Sequence, residues 1–179
     1  SFTSFFDNAK ATIERLENPV LSIAMVGTTS AGKSTIVNGL VGRRVAPMEK
    51  KEMSAGILTL TDSTCKSITV HPTTNSRWST GTITDLSDEE IYSQIRSIFE
   101  KYQGNEAKVS APIIDVTGPI EWQQNRSILG LPSNLNIEFI DLPGLKTVND
   151  RKNFEVIQKI LSKAFCIVAM DFNDVDPTR

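Results

Sequence analysis

Apolar residues fall along this chain in short unbroken runs and in helical stripes, and the two kinds alternate. Residues 4–17 put Phe5, Phe6, Ala9, Ile13 and Leu16 on one side of a helix that Asn18-Pro19 stops. Val20–Val26 is a compact apolar run between Pro19 and Gly27, the pattern of a buried strand. Lys33–Leu40 returns to helical spacing and fades at Gly39 and Gly42. Met48–Gly56 is polar and charged and is expected as a loop. Ile57–Leu60 and Lys66–His71 alternate as strands, either a hairpin or neighbours in one sheet, and Pro72–Gly81 is a Ser/Thr-rich turn or loop. Leu86–Tyr102 is the clearest helix: Asp85, Ser87 and Asp88 offer starts, and Ile91, Ile95, Ile98 and Phe99 form its stripe.

Pro112–Ile120 and Asn136–Ile140 read as further strands. Phe154–Leu161 is a helix with Phe154, Ile157, Ile160 and Leu161 inward, and Ala164–Met170 is a second all-apolar, buried strand ending at Asp171. Neither repeats nor low-complexity tracts interrupt the pattern. Buried strands alternating with helices predict an α/β fold, a mixed and mostly parallel sheet with helices on both faces. The stretch between Ile57 and Ile140 predicts an antiparallel extension on one edge.

Composition adds mostly exclusions. The 179 residues suit one domain and bury a core without staples; residues 1–18 are expected as a flanking helix and 19–179 as the domain. A net charge of −2 makes no case for nucleic acid or an anionic membrane surface. Arg43-Arg44 and Lys50-Lys51 are short enough to be solvated loops. Cys65 and Cys166 lack metal or redox spacing, and Cys166 reads as a small buried hydrophobe, which fits a reducing cytoplasm. No run approaches the ~20 apolar residues of a membrane span. Membrane contact is therefore expected from other segments.

The decisive chemistry follows the first strand. Gly27-Thr28-Thr29-Ser30-Ala31-Gly32-Lys33-Ser34 is G-x-x-x-x-G-K-[ST], set between a strand and a helix. By itself a glycine-rich turn would do; the flanking elements select a phosphate loop. Backbone N–H groups converging on crowded phosphate oxygens need residues without bulky Cβ groups, which Gly27 and Gly32 supply. Lys33 brings a cation to the β and γ phosphates, and the Ser34 hydroxyl can ligate Mg²⁺. The helix N-terminus adds partial positive charge. Asp141-Leu142-Pro143-Gly144, after the strand at Asn136–Ile140, has the form of a second switch. Asp141 can reach Mg²⁺ and the Gly144 amide can sense the γ-phosphate. A first-switch residue is sought in Met53–Gly56 or at Thr59 or Thr61, and Ser54 is chosen because it precedes the strand.

These motifs resemble those of the dynamin superfamily, above all its bacterial members. Ser34-Thr35-Ile36-Val37-Asn38-Gly39-Leu40-Val41-Gly42 is similar to the helix after the phosphate loop there, and Ala46-Pro47 follows as in that group. Asp141–Gly144 matches its Asp-x-Pro-Gly step. Small GTPases set the two motifs much closer together, whereas dynamins insert strands and a helix, as here between Gly27 and Asp141; the resemblance covers about residues 20–175. The resemblance implies a P-loop, Ras-like G domain with dynamin-type insertions that binds GTP and GDP, hydrolyses GTP, and dimerises or assembles as a homo-oligomer. It implies a cytoplasmic protein, peripheral to a membrane it can remodel through other segments. Nucleotide contacts carry over to Gly27, Thr28, Thr29, Ser30, Ala31, Gly32, Lys33, Ser34, Thr35, Asp141 and Gly144. Catalysis carries over to Lys33, Ser30 and Ser54, and metal binding to Ser34, Asp141 and Ser54. Ser30 occupies the position that helps hold a monovalent cation, K⁺ or Na⁺. Thr29 stands where animal dynamins commonly have Gln, and Ser54 matches a switch threonine only loosely.

The Asn/Thr-Lys-x-Asp motif that reads guanine does not occur in these residues, so the chain is expected to be the N-terminal part of a longer G domain. An ATP-specific relative and a nucleotide-binding pseudo-GTPase, or regulatory module, remain as alternatives. Elsewhere His71 reads as a surface histidine, Trp78 and Trp122 as loop caps or interface residues in polar surroundings, and Lys146 and Arg151 as a solvated face. Asp171, Asp174 and Asp176 extend beyond the last strand.

Overall fold

In a computed structural model, residues 6, 9–10, 12–13, 16–28, 31–48, 56–103, 109–144 and 151–170 are described, with 151–154 described in backbone only. Among the described residues seven strands form one sheet: β1 (Val20–Gly27), β2 (Ile57–Asp62), β3 (Ser67–Val70), β4 (Gly81–Thr84), β5 (Ile113–Gly118), β6 (Asn136–Asp141) and β7 (Phe165–Ala169). The helices after β1 among the described residues are α1 (Lys33–Val41), α2 (Asp88–Tyr102), α3 (Glu121–Gln124) and α4 (Arg151–Leu161). Strand order is β4-β3-β5-β2-β6-β1-β7.

The fold is α/β, as the alternation of runs and stripes predicts, but the sheet is not mostly parallel. β1 runs parallel to β6 and β7, and β2 to β5. β2–β6, β3–β4 and β3–β5 are antiparallel. The expected antiparallel extension is present at the β4 end. β2 and β3 are not a hairpin, because β5 lies between them. Their connection crosses the end of β5, where Ser63 N–H donates to Gly118 O (3.1 Å) and Thr117 Oγ1 to Cys65 O (2.8 Å).

Side chains alternate across a strand, so neighbouring core residues serve opposite faces. Met25 and Phe139 pack on one face with Val37 and Val41 of α1 and Ile91, Ile95 and Phe99 of α2. Ala24 and Ile140 pack on the other with Ile157 of α4. Helices thus cover both faces, α4 over only part of its own. Farther along that second face the strands carry polar residues joined across the sheet. Ser67 bonds Thr117 at 2.8 Å, Thr69 bonds Thr82 at 2.9 Å, and His71 Nε2 meets Asp115 Oδ2 at 2.6 Å. His71 therefore has a carboxylate partner that its own neighbourhood in sequence does not reveal.

α2 begins where the start signals crowd. Ser87 Oγ accepts the Glu90 N–H while Glu90 reaches back to the Ser87 N–H, a capping box with three acidic residues in the first turn. The four-residue strand β4 and the short helix α3 lack a pattern long enough to announce them.

Four expectations are corrected by packing. Trp78 is buried, edge-on to Tyr102 with ring centroids 6.3 Å apart, and Trp122 meets Phe139 edge-on and donates to Leu40 O at 2.7 Å. Their bulk is spent on the core although their sequence neighbours are polar. Arg43 is not in a solvated loop: its side chain is 8% exposed and bonds Asp88 (2.7 Å) and Thr117 O (3.3 Å). Cys166 is exposed, as is most of β7. Among the described residues β7 ends the strand order with only β1 beside it, so an apolar run that reads as buried leaves Phe165 71% exposed. In the N-terminal segment the described residues 6, 9–10, 12–13 and 16–17 are helical, yet Phe6, Ile13 and Leu16 are exposed.

Candidate nucleotide site

β1 ends at Gly27, which touches β7 as closely as a backbone can. A Cβ there would lie 2.1 Å from Ala169 O, so steric approach, more than dihedral freedom, demands glycine. Gly32, directly before α1, has φ +82°, a left-handed value that favours glycine. It caps α1 without any side-chain hydrogen bond to the first-turn amides. Those amides are the groups a helix start offers to an anion.

Lys33 is buried and folds back over the loop, its Nζ donating to Thr28 O at 3.0 Å and Gly27 O at 3.4 Å. Burial pushes its pKa down, against the attraction of Asp141, which pulls it up. Parallel pairing of β1 with β6 sets Asp141 across from Met25, one strand from the loop. There Ser34 Oγ donates to Asp141 Oδ2 at 2.6 Å, joining residues 107 positions apart. Asp141 is buried, and its Oδ1 has no hydrogen-bond partner. Burial raises the Asp141 carboxyl to about 6, although Ser34 and Lys33 both favour its charged form.

A hydroxyl and a buried carboxylate with one orphaned oxygen fit a hard divalent cation, as Mg²⁺ is. Among the described residues no group of three or more His, Cys, Asp or Glu could hold a metal. A cation between Ser34 and Asp141 would have to complete its shell with waters and phosphate oxygens.

Of the other expected contacts, Thr28 and Ala31 are half-buried in the loop, Thr35 is exposed on the first turn of α1, and Gly144 is buried beyond Asp141. Thr29, Ser30 and Ser54 lie outside the described residues, as do Lys146, the Arg151 side chain and Asp171, Asp174 and Asp176. One supporting residue has no signature in the motif. Asn38 on α1 accepts the N–H groups of Val45 and Ala46 (both 2.9 Å) and donates to Ala46 O at 2.7 Å. It thereby fixes the chain leaving α1 towards the expected first switch. Its place in the run Ser34–Gly42 is legible in sequence, but its burial and its bonds are not.

A sequence model described as the dynamin family matches residues 23–177. The chain belongs to the dynamin family. Members of that family are GTPases. The fold is also similar to a solved structure described as an oligomerised bacterial dynamin pair that provides a mechanism for long-range sensing and tethering of membranes. That likeness has a TM-score of 0.54 at 14% identity and covers 93% of this chain but 30% of the other, so this chain spans less than a third of its length. No curated protein matches. Among the described residues no helix is long and apolar enough to cross a membrane.

Proposed function

We propose that this dynamin-family chain is the phosphate-binding part of a GTPase that binds GTP and GDP with Mg²⁺ and uses hydrolysis to drive homo-oligomeric assembly. The observation that carries this reading is the Ser34–Asp141 hydrogen bond, which brings the phosphate loop and the second switch together with a buried carboxylate oxygen left over. Lys33 is held on the loop's own carbonyls, from which a bound triphosphate would draw its ammonium to the β and γ phosphates. The uncapped amides of α1 would cradle β-phosphate oxygens. Ser34 and Asp141 would hold Mg²⁺, which supplies charge neutralisation at the phosphates. Attack is by water, so the residues act by positioning and electrostatics and no covalent enzyme intermediate is required.

Ser30 would help hold K⁺ or Na⁺, and Ser54 would close the first switch over the metal. A cytoplasmic protein peripheral to a membrane fits the family and the membrane-tethering dynamin pair to which the fold is similar. Calorimetry with Mg²⁺ and GTP tests the reading. Lys33→Ala should abolish binding, and unchanged affinity would overturn the site. GTP should bind more tightly than ATP; the reverse would make the protein an ATPase.

A further inference from the structure

Helix α1 carries Lys33 and Ser34, yet its own sequence does little to hold it in place. It has nine residues with Gly39 among them, no acidic residue in its first turn and no basic residue in its last. Helices this short are marginal without tertiary support, and an internal glycine weakens them further. The start of α1, at Gly32, has no side-chain cap. Support therefore comes from its buried face and from its far end.

The far end is anchored through Asn38. Its main-chain carbonyl accepts the N–H groups of Gly42 and Arg43, the latter at 3.2 Å. Its side-chain Oδ1 accepts those of Val45 and Ala46, and Nδ2 donates to Ala46 O. One amide group thus pairs with both the N–H and the C=O of Ala46, as a neighbouring strand would. The turn gathered in this way is itself fixed to the body of the domain. Val45 and Ala46 are fully buried. Arg43 bonds Asp88 of α2 and Thr117 O of β5, and its guanidinium leaves no room for a Cβ at Gly118.

Asn38 lies one turn after Ser34, and both belong to the buried stripe of α1 with Lys33, Val37 and Val41. Ser34 Oγ reaches from α1 to Asp141 Oδ2 at the end of β6, at 2.6 Å. That contact differs in kind from the rest of the site. The first-turn amides and Lys33 belong to α1 and travel with it if the helix shifts, whereas Asp141 stays with the sheet. A slide of α1 by about 1 Å would leave a phosphate on its amides but would part Ser34 from Asp141, and misplacements of that size are costly where groups must act together.

We propose that Asn38 is a positioning residue for the metal: by tying α1 to the turn at 42–46 it holds Ser34 at the depth where its hydroxyl and Asp141 share one cation, which rests on the Mg²⁺ reading of those two residues. Calorimetry of GDP binding, in EDTA and in Mg²⁺, separates positioning from general stability, because unfolded molecules lower the stoichiometry and not the affinity of the folded ones. Asn38→Ala should bind GDP in EDTA within about threefold of the parent, yet keep about a tenth or less of the tightening that Mg²⁺ gives the parent. Asn38→Ser, which can still accept one N–H, should fall between the two and supplies the comparison if the alanine variant does not fold. Ile95→Val, a core change on α2, should keep the parent's affinity in both conditions. Full Mg²⁺-dependent tightening in the Asn38 variants overturns the proposal, as does an EDTA affinity that falls in step with it or an equal loss in Ile95→Val. A parent that Mg²⁺ does not tighten would overturn the metal reading of Ser34 and Asp141, and this role of Asn38 with it.

Discussion

Asp141→Asn tests the site at its most informative atom. Burial penalises the charge of the Asp141 carboxyl and raises its pKa from the ordinary 3.8 to about 6. A folded pKa above the unfolded one means that the native state holds the proton more tightly. Stability contributed by the protonated carboxyl is full below about pH 4 and is lost as pH rises towards and through 6. Linkage puts the loss at about 2 kcal/mol between about pH 4.5 and 7.5. Asn keeps an acceptor for the Ser34 hydroxyl, does not titrate, and buries an amide N–H₂ that lacks an obvious partner, a pH-independent penalty of about 1–3 kcal/mol. The absolute effect can therefore have either sign, but the pH dependence cannot. Urea unfolding of the nucleotide-free protein in EDTA, run across that range, should show the Asn variant gaining on the parent by about 2 kcal/mol as pH rises. Parallel stability profiles would refute the claim that Asp141 is a destabilised buried acid. The same pair of proteins reports on the metal. Adding Mg²⁺ with GDP at about pH 7.5 should raise the parent's unfolding midpoint more than GDP alone does, and the Asn variant should show no such increment.

Three other outcomes follow from the structure. Mg²⁺-dependent tightening of GDP by the parent should fade as pH falls through about 6, because protonation removes the carboxylate; a pH-independent Mg²⁺ effect measured by calorimetry would contradict this. Asn38→Ala removes three hydrogen bonds and strands two backbone N–H groups beside α1, and should cost about 2–4 kcal/mol in urea unfolding. Gly27→Ala drives a Cβ into Ala169 O and must push β7 off β1, costing about 1–3 kcal/mol and weakening nucleotide binding together; a variant with parental stability would mean that the β1–β7 contact is looser.

The phosphate loop was legible because its chemistry is local. Gly27, Gly32, Lys33 and Ser34 are consecutive enough for one turn to place them, and the strand and helix around them announce themselves by period. Asp141 was legible for a different reason: it closes an apolar strand and opens an Asp-Leu-Pro-Gly step. What it touches was not. The register of β6 on β1 brings it to Ser34, and register is a property of paired strands. Asn38 and Arg43 illustrate the opposite failure. Each looks like an ordinary polar residue near a helix end, and each is buried in hydrogen bonds to segments distant in sequence or beyond the helix.

The sequence by itself determined the alternation of strands and helices, the phosphate-loop and Asp-Leu-Pro-Gly motifs, which rest on patterns within single segments, and, through the distance between those two motifs, the kinship with dynamins. Tertiary structure alone decided that β5 separates β2 from β3, that half the strand pairings are antiparallel, and that Trp78 lies inside while Cys166 lies outside. An apolar run states only that a strand prefers burial; its neighbours in the sheet decide whether burial is available. Among the described residues β7 has one neighbour, and so the run from Phe165 to Val168 is exposed for all its hydrophobicity, with Ala169 alone buried. Burial also set the affinity of Asp141 for a proton, because desolvation is fixed by the atoms packed around a carboxyl and not by the residues on either side of it.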